Sequence, residues 1–269
     1  MIRILPRVLV AYALASSVFV LSRLVWPHAP LLAVAGAHGL SRLVASAGML
    51  TPLLGGALWA LGVVRRLEPR NRSRPAWMLF CGWLASFAIG EALLAAYVHV
   101  LRTAPPIPSV GDGFFVAGYV ALILGLAWFS RVYATSGLPL GPSAEPPIIA
   151  AVAALVLGAA GVRWLQPLAH LAPATPGTVL TLTYPVLDIV VLVPTAVLAR
   201  ITSRFHGGRV WTIWGSILAG FVSLAAADTM FAYGDLAGVA WLDPLTDATF
   251  ILGYTLAALG AARQYELLE

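Results

Sequence analysis

A chain of 269 residues with 60 % hydrophobic residues, only 10 % charged ones and a mean hydropathy of +0.90 lies far outside the range of a soluble domain. It has to be an integral membrane protein, and its apolar runs have the length of helices crossing a bilayer, about 20 residues each. The net charge of +5 comes from 16 arginines without one lysine; membrane topology accounts for it, so no nucleic-acid partner is expected.

Eight apolar segments predict spans near 5–26, 44–64, 76–98, 110–131, 146–165, 177–199, 210–233 and 245–263. The first follows Arg3 and Arg7 and reads as a signal anchor, because cleaving it would leave seven spans and break the symmetry described below. Residues 31–45, "LLAVAGAHGLSRLVA", are too short to cross separately and read as an interfacial helix or an extension of the second span. The third span holds the single Cys81, which has no disulfide partner and reads as a packing residue. Trp77, Trp164, Trp211 and Trp241 fall near predicted span ends, the usual place of an aromatic belt.

When eight helices alternate, twelve arginines fall on one side: Arg3, Arg7, Arg65, Arg66, Arg70, Arg72, Arg74, Arg131, Arg200, Arg204, Arg209 and Arg263. Arg23, Arg42, Arg102 and Arg163 fall on the other. That imbalance predicts both termini in the cytoplasm.

The chain also matches itself. Asp-x-x-Phe-x-x-Gly-Tyr occurs at Asp112–Tyr119 and again at Asp247–Tyr254, 135 residues later. Pro52 pairs with Pro185, Trp77 with Trp211 and Glu91 with Asp228 at offsets of 133 to 137. The expected architecture is therefore one domain over 1–269, an eight-helix bundle of two four-helix repeats, about 1–134 and 135–269. An even number of spans per copy makes the repeats parallel, related by an axis along the membrane normal.

Five of the 11 acids, Glu91, Asp112, Asp188, Asp228 and Asp247, lie within spans or at their mouths, where an ionisable group is costly and by default functional. At 100° per residue Asp112, Phe115 and Tyr119 share one helix face, as do Asp247, Phe250 and Tyr254, and Tyr184 and Asp188 share another. The candidate ligand- or proton-binding set is Glu91, Asp112, Tyr119, Tyr184, Asp188, Asp228, Asp247 and Tyr254, all but Asp188 in the outer half. Competing structural roles are visible at each. Ser109 and Asp112 have the spacing of a capping box, and Asp243–Pro244 that of an N-cap followed by proline. Glu91, Asp188 and Asp228 could be buried carboxyls bonded to Tyr97, Tyr184 or a neighbouring helix. Gly118 and Gly253, before the motif tyrosines, read as close-packing positions. Five acids without lysine among them cannot all stay ionised unaided, so at least one of Glu91, Asp188 and Asp228 is expected to hold a proton.

Several chemistries are excluded or unsupported. A retinal Schiff base needs a lysine. The five histidines show no metal or haem spacing, and no nucleophile elbow, phosphate loop or paired-cysteine motif occurs. No cofactor, metal or catalytic residue is assigned, and the chain does not read as an enzyme.

"RPAWMLFCGWLASFAIGEALLAAY", "PPIPSVGDGFFVAGYVALILGL", "LTLTYPVLDIVVL" and the segment from Ala226 to Ala262 resemble the multi-span N-terminal input regions of bacterial diguanylate cyclases and phosphodiesterases of the GGDEF and EAL type, and of some sensor histidine kinases. The likeness covers about residues 70 to 263, and rests mainly on Pro108, Ser109, Asp112, Phe115 and Tyr119 and on Tyr184, Pro185 and Asp188. It implies a sensory module of the bacterial inner membrane whose last span feeds a cytoplasmic output domain or protein, as in cyclic-di-GMP signalling. This sequence stops at "RQYELLE" instead. A cation- or proton-coupled transporter or channel is the alternative, and an intramembrane enzyme a further one. The lipid bilayer is the certain partner on composition; a second copy of the chain is a candidate.

Overall fold

The computed structural model describes residues 4–25, 37–136, 145–170 and 173–269. They form α1 (Leu5–Val25), α2 (Ala37–Arg66), α3 (Arg74–His99), α4 (Val110–Ala134), α5 (Glu145–Ala169), α6 (Pro176–Ser203), α7 (Arg209–Ala237), a 3₁₀ turn (Ala240–Leu242) and α8 (Asp243–Leu267). Eight helices are long and apolar enough to cross a membrane, which makes this a multi-pass, all-helical membrane protein. Residues 37–45 belong to α2, so that part of the doubtful 31–45 segment extends the second span; residues 31–36 lie outside the described residues.

Local chemistry sets the helix ends. At α4, Ser109 is extended (φ −116°, ψ 172°) and its N–H donates to Asp112 Oδ2 at 2.5 Å, the expected capping box. Thr175 Oγ1 accepts from the Thr178 N–H at 3.1 Å, with Pro176 opening α6. Gly238, at φ 68°, closes α7 in the left-handed conformation glycine tolerates. Asp243 departs from expectation: the 3₁₀ turn makes Leu242 the cap position, Asp243 is the first residue of α8, and no side-chain cap bond forms there. Pro52, Pro167, Pro185 and Pro194 sit inside helices, as membrane helices allow when neighbours enclose the broken turn.

α8 is the most enclosed helix and α5 the least. α8 packs against α1, α2 and α7, while α4 packs against α3 and α6. Small residues permit the approach: Ala257, Ala258 and Ala261 of α8 are fully buried, and at Gly220 of α7 a β-carbon would lie 2.8 Å from the Gly253 carbonyl oxygen. Gly118 and Gly253 are close-packing positions, as expected; a β-carbon there would meet Phe87 at 2.5 Å and Leu224 at 2.7 Å. Phe80, Trp83, Phe87 and Phe221 form an edge-to-face aromatic core beside them. Trp77 belongs to this core and not to an interfacial belt: it is 3 % exposed and meets Phe80 and Phe129 edge-on. Its position three residues into α3 looked like an interface, but the face it occupies turns inward. Cys81 is free and half-buried, its Sγ donating to the Ala57 carbonyl across α2 and α3 at 3.4 Å.

The start of α1 and the end of α8 lie at one end of the bundle, where Arg7, Arg263 and Glu266 border one cavity; there Arg66, at the end of α2, stacks 3.7 Å from the Tyr265 ring centroid and pairs with Glu269 at 3.2 Å. At the same end Glu145 of α5 pairs with Arg200 and Arg204 of α6 at 2.5 and 2.9 Å. The opposite, distal end gathers the ends of α1, α3 and α7 and the starts of α2 and α8.

Candidate functional site: a buried acid and tyrosine cluster

The predicted acids and phenols meet across helices, in three sets of hydrogen bonds. Tyr119 of α4 reaches two acids at once: its hydroxyl lies 2.8 Å from Asp188 Oδ1 on α6 and 2.9 Å from Asp228 Oδ2 on α7. Tyr184 of α6 donates to Asp112 Oδ1 of α4. Tyr254 of α8 donates to Glu91 Oε1 of α3 at 3.4 Å, a long and therefore weak bond. Tyr119, Asp188, Asp228 and Tyr254 are between 2 and 9 % exposed. Tyr97, a partner considered from the sequence, is not among these contacts; Tyr119 and Tyr254 supply the hydroxyls instead.

Helical register explains why these side chains meet. Phe115 and Tyr119, one turn apart on α4, both face inward, and their rings stack edge-to-face on Phe87 of α3 at 5.2 and 5.3 Å. Tyr184 and Asp188, one turn apart on α6, are both buried, and the Tyr184 ring lies 6.2 Å from that of Tyr119. On α8 the Phe250 and Tyr254 rings stack at 6.0 Å, and Tyr254 meets Phe87 edge-to-face at 6.2 Å. Phe87 thus packs against both motif tyrosines.

Donor counting defines what the central trio can do. A phenol has one hydrogen, yet Tyr119 contacts two carboxyl oxygens at hydrogen-bonding distance. Asp188 and Asp228 thus compete for one donor, while Asp188 Oδ2 is buried with no hydrogen-bond partner. One further proton on either carboxyl would supply the missing donor; a small monovalent cation would neutralise the trio in the same place. Among the described residues no three carboxyl, imidazole or thiol groups converge closely enough to hold a metal ion.

Asp112 does two things, closing the capping box and accepting from Tyr184. Asp247 stands apart. It is half-buried and borders a cavity of about 860 Å³ at the distal end, together with Arg23, Arg42, Arg102, Asp235, Asp243 and Thr246. It lies near enough to Glu91 for the two carboxyls to act on each other, and to Arg23 and Arg42 for their guanidiniums to act on it. Sequence reasoning missed these arginines. Their only signal was membership of the minority side of the arginine count, which says nothing of convergence.

Compared with protein-family models, curated proteins and solved structures, the chain finds no match.

Proposed function

We propose that this chain is a sensory module of the bacterial inner membrane in which proton or cation occupancy of the acid and tyrosine cluster biases the packing of α8, and through it a cytoplasmic output. The observation that carries this reading is the way α8 is held. It is the most enclosed helix, yet its one bond to the cluster, Tyr254 to Glu91, is the longest there, at 3.4 Å against 2.8 and 2.9 Å around Tyr119. A change of charge at the acids therefore acts first on the helix that runs to the C-terminal end.

The duplication belongs to the same proposal. Tyr119 and Tyr254 are matched in the repeat, as are Glu91 and Asp228. Each tyrosine bonds the acid of the other half, and α2 packs on α8 as α6 packs on α4. Asp188 breaks the symmetry: at the offset of 133 that pairs Pro52 with Pro185, its counterpart is Gly55. The extra acid gives the second half the site where a proton is needed, and leaves the first half with the looser bond.

The arginine distribution supports cytoplasmic termini. In a Cys81→Ser background, a cysteine at residue 70 is expected to react with a membrane-impermeant maleimide only after the cells are opened, and one at residue 103 in intact cells. Labelling at 70 in intact cells would reverse the orientation.

The test of function joins the C-terminal end to a cyclase reporter. Asp228→Asn and Glu91→Gln are expected to shift reporter output at least threefold, with no solute or proton flux in liposomes containing the purified chain. A transporter is the second reading, favoured by the distal cavity that Asp247 borders, an acid whose charge acts on Glu91. Saturable flux abolished by Asp228→Asn, with a silent reporter, would establish it in place of the sensor.

A further inference from the structure

The distal cavity holds charges of both signs that do not satisfy one another. Arg23 from the end of α1, Arg42 from the start of α2 and Arg102 from the loop between α3 and α4 border it, facing Asp235, Asp243 and Asp247. Among the described residues, none of these six comes within 4.0 Å of an opposite charge. Flexible surface arginines beside free carboxylates ordinarily pair at little cost; here the chain holds them apart across a cavity of about 860 Å³. An independent feature lies in the wall of the same space. Thr246, in the first turn of α8, borders the cavity, is only 4 % exposed, and its hydroxyl has no hydrogen-bond partner. Buried hydroxyls are rarely left so.

We infer that this cavity binds a small zwitterion, its phosphate or carboxylate held by Arg23, Arg42, Arg102 and the Thr246 hydroxyl, and its primary ammonium by Asp247 and Asp243. A guanidinium is the side chain best suited to an oxyanion, since it offers paired donors in a plane. An ammonium supplies the N–H donors that an aspartate pair lacks, and two aspartates at one end offer it more than a simple anion site would. Two sources carry this chemistry: a dissolved amino phosphate or amino acid, and the headgroup of an aminophospholipid at the membrane surface. An ammonium on Asp247 would act electrostatically on the Glu91 carboxyl, and so on the bond to α8. The inference names a ligand class for the module proposed above, and the two fail separately, because binding is measured without any output.

The probe is O-phosphoethanolamine, titrated calorimetrically into the purified full chain, with inorganic phosphate and ethanolamine as its two halves. The zwitterion is expected to bind at least tenfold more tightly than either half. Arg42→Gln and Arg102→Gln, both at exposed positions, should each weaken it about tenfold, and Asp247→Asn should erase its advantage over phosphate; circular dichroism confirms that each variant is folded. Repeating the titration in nanodiscs separates the sources. Loss of apparent affinity in phosphatidylethanolamine discs, but not in phosphatidylcholine discs, whose headgroup has no N–H donor, identifies the lipid; equal affinity in both identifies the solute. Phosphate binding as tightly as the zwitterion, affinity unchanged by both arginine substitutions, or no binding in detergent and in either disc would each overturn the inference.

Discussion

Tyr119→Phe is expected to destabilise the protein by about 3 kcal/mol or more, since it removes the one hydroxyl that two buried carboxyls share and leaves the pair without that donor. The change deletes a single oxygen from a residue 3 % exposed and keeps the ring that packs on Phe87, so packing alone would make it nearly neutral. Tyr133→Phe is the control. Tyr133 also loses one bond, from Trp214 Nε1 at 2.8 Å, but strands no carboxyl, and about 1 kcal/mol is expected. In Tyr119→Phe combined with Asp188→Asn, the amide removes one charge and offers Asp228 an N–H in place of the hydroxyl. More than half of the lost stability should return, and the non-additivity measures the coupling of the trio. Thermal unfolding in one detergent, followed by size-exclusion chromatography, reads the wild type, Tyr119→Phe, Tyr133→Phe, Asp188→Asn and the double variant. A Tyr119→Phe melting curve that overlays the wild type would remove the hydrogen-bond argument for the site.

Gly220→Leu should abolish folding altogether. A β-carbon at this position would lie 2.8 Å from the Gly253 carbonyl oxygen and 3.0 Å from the Ala257 backbone nitrogen; neither can retreat unless α7 and α8 separate. That pair has the most extensive contact in the bundle, and between helices in lipid, close van der Waals packing is the main attraction. Overpacking ordinarily costs about 1–3 kcal/mol; a clash against backbone belongs at or above the upper end. Gly220→Ala should lower the melting midpoint measurably, and Gly220→Leu should yield only aggregate. Gly82→Leu is the comparison, because nothing lies within 4 Å of a β-carbon there and the position is exposed. Equal yields of folded protein from Gly220→Leu and Gly82→Leu would show that α7 and α8 do not need this approach.

The inward faces of α4 and α6 were readable because they obey helical period: Asp112, Phe115 and Tyr119 recur at three- and four-residue steps, and so do Tyr184 and Asp188. The Ser109 cap was readable for the same reason, since a cap is built within four residues of chain. Trp77 was misplaced because nearness to a helix end indicates depth in the membrane but not which side of the helix turns inward. Asp243 was misplaced because a 3₁₀ turn and an N-cap share the same proline signal.

Composition and hydropathy alone determined that the protein is a helical membrane bundle, since each span's preference for lipid is a sum over its own residues. They also isolated the eight acids and tyrosines, because a costly group in an apolar run stands out without reference to any partner. Which phenol serves which acid was decided only in the folded bundle. Tyr119 meets Asp188 and Asp228 across 69 and 109 residues of chain, and Tyr254 meets Glu91 across 163. Such contacts depend on how helices rotate and close on one another, which small residues such as Gly220 and Gly253 permit but local periodicity does not encode. The three arginines of the distal cavity belong to the same class: the sequence counts them on one side of the membrane, and only the packing of α1, α2, α3, α7 and α8 brings them to one space.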